Sequence, residues 1–174
     1  MKLYKSHLMG ATIDLTQRRI YFFGGIFSQW ARCKIYDFTS DSIFNCAEQA
    51  MMYHKALIFK DWDACKVVMA EKDPRNQKAI GRTIKNYDDT VWSDVRFDVV
   101  RNYNYLKFSQ HPEWKELLIY TDGYEIFEAS STDCVWGIGV SEEDAPLLDK
   151  KDWRGKNLLG EAIMSAREQI IKEL

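Results

Sequence analysis

What this 174-residue chain lacks narrows the field before any motif is read. Its four cysteines include no CxxC pair, and its three histidines, His7, His54 and His111, are scattered, so the clustered ligands of a zinc site are missing. There is no Lys/Arg block, and a formal net charge of -2 supplies no general attraction for nucleic acid. Coating a duplex would therefore need a local basic patch. No apolar run approaches the roughly 20 residues that span a bilayer, and the opening MKLYKSHLMG has no signal-peptide core. The expectation is a cytosolic protein with no membrane partner, whose four thiols stay reduced and mostly buried. Internal repeats, low-complexity tracts and Pro/Gly linkers are also missing, so nothing divides the chain into two domains.

What is present is ordinary in bulk, at 46% apolar and 29% charged residues, and enough for a substantial core. Residues 1–19 carry no clear periodicity and offer one candidate strand. The aromatic and β-branched run RIYFFGGIF, residues 19–27, reads as a strand interrupted by Gly24 and Gly25. Two short strands, residues 34–38 and 43–44, flank the polar turn TSDS. Helices are predicted over residues 45–59, 62–70, 74–82, 89–110 and 113–120, with His111 and Pro112 breaking the last two apart. A strand over 125–129 and a helix from about 157 to 171 complete the pattern.

The segment NCAEQAMMYHKALIF, residues 45–59, is the most informative. Glu48, Met52, Lys55 and Phe59 follow a 4, 3, 4 spacing that shares one helical face. The remaining faces are apolar too, apart from His54, which predicts a helix buried nearly all round. Glu48 and Lys55 lie about 10 Å apart along the axis, too far for an ion pair and suited to flanking a small molecule. Two other uses stay open. Asn45 and Glu48 match a capping box, and Lys55 can snorkel to water. Desolvation favours the chemical use, because it lowers a lysine pKa and raises a glutamate pKa.

Trp30, Trp136 and Trp153 all fall in predicted loops, where an indole is either a lid over the core or a stacking wall for a flat ligand. The loop from Asp133 to Gly139 combines a carboxylate, Cys134, an indole and two glycines, Gly137 and Gly139, that let backbone approach a ligand. Arg154, Gly155, Lys156 and Asn157 precede the last helix, an arrangement that suggests a phosphate contact or, alternatively, a cationic turn with Asn157 as helix cap.

Taken in order, FFGGIFSQW, FNCAEQAMMYHKA, Gly81-Arg82, Trp92, Lys107-Phe108, EASSTDCVWGIG and WRGKNLLG resemble the NADAR family, which includes the YbiA-type N-glycosidases. The likeness extends from about residue 22 to the C-terminus, and residues 20–174 are expected to be the catalytic domain behind the N-terminal segment 1–19. The resemblance implies an α+β single domain, predominantly helical with a small sheet of short strands. It also implies hydrolysis of the bond between a ribose C1 and nitrogen. Two substrate classes come with it: ribosylamino-pyrimidine phosphates of riboflavin synthesis, and ADP-ribosylated guanine, free or in nucleic acid.

By resemblance Glu48, Lys55 and Asp133 are the catalytic candidates. Phe27, Ser28, Trp30, Arg82, Trp92, Trp136, Gly137, Gly139, Arg154 and Asn157 would contact substrate. The chemistry needs no metal and no cofactor. A carboxylate offsets positive charge developing at C1 or activates water, and an unprotonated lysine can capture an iminium as a Schiff base. The acidic stretch SEEDAPLLDKKD, longer than in compact bacterial members, would gate substrate size. A non-catalytic ADP-ribose or nucleotide sensor is the competing reading, and a protein interaction module is a third without support in the sequence. Oligomeric state is not legible.

Overall fold

The computed structural model describes residues 2–174. The fold is α+β. Six α-helices and six short strands are found among the described residues, grouped into two compact units: residues 1–28 with 111–174, and residues 29–110.

The first unit is built on a four-stranded sheet in the order β1 (Leu3–Ser6), β2 (Ala11–Asp14), β3 (Arg19–Phe22), β6 (Glu125–Glu128). Neighbours are antiparallel until β3, which pairs with β6 in parallel, Ile20 opposite Ile126. Residues 1–19 thus supply two strands where the sequence offered one. Alternation there is weak because Leu3 and Tyr4 remain exposed while Asp14 is buried, its carboxylate accepting from the Thr16 and Gln17 amides. The run 19–27 ends its strand at Phe22 and closes as a 3₁₀ turn over Gly25–Phe27. Gly25 requires its left-handed φ of 69°, and a Cβ there would stand 1.9 Å from the Met9 carbonyl oxygen. Helices α5 (Pro112–Tyr120) and α6 (Leu158–Lys172) complete the unit, with α6 packed on β6. Its core gathers Tyr21, Phe127, Ala129, Ile138, Val140 and Ala145 under Trp153. The acidic stretch after Gly139 coils into two 3₁₀ turns, Ala145–Leu147 and Lys150–Asp152, and Glu142 ties it to the N-terminal hairpin by accepting from Thr12 Oγ1 at 2.7 Å and from Lys5.

The second unit holds the hairpin β4 (Ile35–Asp37) and β5 (Ser42–Phe44) and helices α1 (Ala47–Ile58), α2 (Trp62–Ala70), α3 (Pro74–Gly81) and α4 (Asp89–Ser109). Asp61, Asp73 and Asp88 cap the last three through side-chain carboxylates, and Pro74 opens α3 where its missing amide costs nothing. Ile35, Phe44, Ala47, Ala50 and Tyr103 form the core, so α1 is the element around which the unit packs. Its N-terminal half is buried all round, from Ala47 to Met52, whereas Tyr53, His54 and Lys55 are half-buried. No helix is long and apolar enough to cross a membrane among the described residues.

Candidate active site

Helix α1 begins one residue later than a capping box on Asn45 would require. Cys46 is the cap, its sulfur accepting from the Gln49 amide, and the return bond comes from Gln49, whose Oε1 accepts from the Asn45 amide at 2.7 Å. The residue that returns to the start of the helix is thus Gln49, where the sequence pointed to Glu48. The Glu48 amide is held by the Gln29 carbonyl at 3.0 Å, and the residue is only 4% exposed. Gln29 is fixed in turn by Asn104, whose Nδ2 donates to Gln29 Oε1 at 3.0 Å.

Two turns further along α1, Lys55 Nζ donates to the Gly81 carbonyl at 2.8 Å and lies 4.2 Å from the centre of the Tyr87 ring and 5.8 Å from Trp92. Snorkelling is thus arrested by a cage. Burial lowers the Lys55 pKa, with Arg82 pushing the same way, while Asp89 and Glu48 push back. Gly81 has a reason to be glycine, since a Cβ would sit 1.9 Å from Met52 Sδ. Trp92 is 4% exposed, Arg82 is exposed at the end of α3, and Trp30 is exposed at 39%. Nothing in the sequence marks Tyr87. Its aromatic ring, two residues before Asp89 and five before Trp92, lay in a polar turn with no periodicity to mark it.

His54, the other titratable group of α1, serves a different purpose. Tyr103 Oη donates to Asp37 Oδ2 at 2.9 Å and so accepts from His54 Nδ1 at 2.8 Å. This chain locks β4, α1 and α4 together. Lys107, fully buried on α4, is pulled down to about 8 by burial, with the Cys33 and Cys46 thiols acting against that.

The glycine loop of the first unit is braced from within. Asp133 Oδ1 accepts from the amides of Val135 and Trp136 at 3.0 and 2.8 Å. Gly137 is hemmed by the carbonyl oxygens of Asp133 and Glu128, each 2.9 Å from where a Cβ would stand, and Gly139 adopts φ 71°. Arg154 is exposed, but its guanidinium donates to the Gly139 carbonyl, at 3.0 Å from Nε, and to that of Ser131. The first amides of α6 are spent as well: Leu158 N–H bonds the Val135 carbonyl and Leu159 N–H that of Trp136. Asn157 sits at the cap position without capping, 5% exposed at φ 57°, and both ends of its amide hold β6: Nδ2 donates to Ile126 O at 2.9 Å and Oδ1 accepts from Glu128 N at 3.0 Å. Phe27 is wholly buried against Phe22, and Ser28 and Trp136 are half-buried. An open recess of about 370 Å³ beside this loop is lined by Ser131, Arg154 and the acidic stretch, including Asp144 and Leu147.

The NADAR domain model matches residues 21–171, nearly the whole chain. The chain belongs to the NADAR family. The likeness to N-glycosidase R617 of Acanthamoeba polyphaga mimivirus is 36% identity over 165 residues, 88% of this chain and 97% of that one. Riboflavin biosynthesis protein PYRR of Arabidopsis thaliana is 29% identical over 118 residues, which cover 66% of this NADAR chain and 18% of the plant protein. The NMR structure of the E. coli protein YbiA superposes with a TM-score of 0.74 over 99% of this chain and 95% of that one, at 24% identity, a correspondence of fold.

Proposed function

We propose that this NADAR protein is an N-glycosidase that hydrolyses the ribose C1–nitrogen bond of a ribosylated amine, with a free ribosylamino-pyrimidine phosphate as its substrate. The activity is supported by the name carried by the mimivirus relative, which this chain spans almost end to end. The pyrimidine is supported by the riboflavin-synthesis name of the plant relative, and a small ligand rather than a polymer by the formal charge of -2.

The observation that carries the chemistry is the caged amine of Lys55 on the same helix as the buried carboxylate of Glu48. In a ribosylamine the nitrogen lone pair expels the ring oxygen from C1, giving an iminium while the ring oxygen takes a proton. The unprotonated Lys55 amine adds to C1, and the original C1–N bond then breaks as the leaving nitrogen is protonated. That leaves a lysine imine, which water hydrolyses to the sugar aldehyde and free Lys55. Glu48 offsets the positive charge at C1 and carries the proton to and from water. Lowering of the Lys55 pKa raises the fraction of amine able to attack.

Purified protein is incubated with ribosylaminouracil phosphate and, in parallel, with ADP-ribosyl guanosine, and free base is followed chromatographically. Release of base from the pyrimidine supports the reading, and release from the ADP-ribosyl substrate alone moves the substrate class. No release from either, with ligand still bound, replaces the enzyme by a nucleotide sensor. Borohydride added with substrate should leave a sugar adduct on Lys55; an active enzyme without that adduct removes the imine step.

A further inference from the structure

The amine of Lys55 is fixed by more than its own helix. Tyr87, whose ring centre is 4.2 Å from Nζ, is itself held on two sides. Its hydroxyl donates to Asp89 Oδ1 at 2.7 Å, and its ring meets Phe59 edge-on with centroids 5.2 Å apart. Phe59 closes α1, Tyr87 lies in the turn before α4, and Asp89 is the first residue of α4, so the ends of two helices set the plane of that ring. Burial and the Asp89 carboxylate push the Tyr87 phenol up to about 12, which keeps the ring neutral through the working range.

We propose that Tyr87 is the positioning residue of the reactive amine, its ring face and the Gly81 carbonyl together pinning two of the three directions open to hydrogens on Lys55 Nζ, so that the lone pair emerges along the third. The inference rests on the imine reading above. A primary amine nitrogen has four tetrahedral directions, one of them taken by Cε. The Gly81 oxygen accepts one N–H, and the negative face of the ring receives a second. Deprotonation then proceeds from the remaining direction, since the Trp92 ring, 5.8 Å from Nζ, holds a hydrogen less tightly than either. The lone pair is fixed there, and an attacking amine with a fixed lone pair avoids the orientational loss that a freely rotating ammonium suffers. The ring also favours the charged form. It therefore opposes burial and Arg82, in company with Asp89 and Glu48, the other charges that face this amine. Asp89 acts twice, as a charge near the amine and as the anchor of the Tyr87 hydroxyl.

Tyr87→Leu removes the aromatic face, and Tyr87→Phe keeps it while dropping only the bond to Asp89. Tyr87→Gln makes the first comparison if the leucine variant does not fold. Ionisation of the amine is read without turnover, by trace labelling with acetic anhydride from about pH 6 to about pH 11 and mass spectrometry of the Lys55 peptide. The expected result is a half-titration point about half a pH unit lower in Tyr87→Leu, the size of an exposed cation–π contact, and unchanged in Tyr87→Phe. In turnover, Tyr87→Leu should lower the kcat plateau several-fold, on the order of the same contact or more, and move the acid limb the same way. Tyr87→Phe should restore both. A leucine variant with the wild-type titration and pH profile overturns the proposal. Wild-type protein that releases no base fells the imine reading instead, and the labelling still decides whether Tyr87 holds the amine.

Discussion

Asn157 offers the sharpest test of how the first unit is built, because the resemblance made it a substrate contact and the structure gives its side chain to a strand. β6 is the edge of the sheet, and its residues alternate in what they bond. Glu125 N and Ala129 N donate to the β3 side, at Arg18 O and Phe22 O, while Ile126 O and Glu128 N face the open edge. There the Asn157 amide takes the place of a further strand, with bonds of 2.9 and 3.0 Å at 5% exposure. Asn157→Ala strands the buried Ile126 carbonyl and the half-buried Glu128 amide, at about 2 kcal/mol each. It also leaves a Cβ-bearing residue without local compensation at φ 57°, for about 1 kcal/mol more. The total of about 5 kcal/mol is a large share of a typical domain's stability and corresponds to a fall in Tm of about 10 to 20 °C. Asn157→Gly relieves the backbone strain alone and should recover about 1 kcal/mol of it. Urea unfolding followed by tryptophan fluorescence measures both variants. An alanine variant within about 1 kcal/mol of wild type would refute the bracket, most directly if its KM rose instead.

Three further outcomes are expected. Gly81→Ala places a Cβ 1.9 Å from Met52 Sδ and should cost about 1 to 3 kcal/mol while displacing the carbonyl that anchors Lys55; a double-mutant cycle with Met52→Ala should show coupling, and strict additivity would argue against that clash. Burial lowers the His54 pKa, so the unfolded chain takes up its proton first as pH falls, and the stability tied to neutral His54 is present above its ordinary value of 6.5 and lost below it. Wild type should therefore lose more stability than His54→Gln between about pH 7.5 and about pH 5.5 in urea titrations, and equal losses would contradict that linkage. Of the four thiols only Cys134 is exposed, and burial pushes Cys46 up to about 11, so one thiol should react rapidly with a disulfide reagent in the native protein and the others on unfolding; two or more fast thiols would contradict the burial.

Local rules determined much of this protein from sequence alone. Helices α1 to α6 lie within one or two residues of their predicted spans, because aspartate caps, Pro74, Pro112 and the 3.6-residue period act through neighbours along the chain. The special character of Glu48 and Lys55 was legible for the same reason, as a charged pair on an otherwise apolar helix. Tertiary structure decided the rest. Pairing of β1 with β2 is a contact that no period in residues 1–19 announces. Which residue returns to the cap of α1 turned on a one-residue shift: Gln49 Oε1 takes the Asn45 amide while its Nε2 is held across the unit by the Val68 and Glu71 carbonyls. Asn157, which reads as an anion contact, gives both ends of its amide to β6, Arg154 holds glycine-loop carbonyls through Nε and Nη2 while lining the open recess, and the role of Tyr87 exists only because a turn brings its ring to Lys55. A polar or aromatic side chain serves whichever partner folding places within reach, and for Asn157, Arg154 and Tyr87 that partner is distant in sequence.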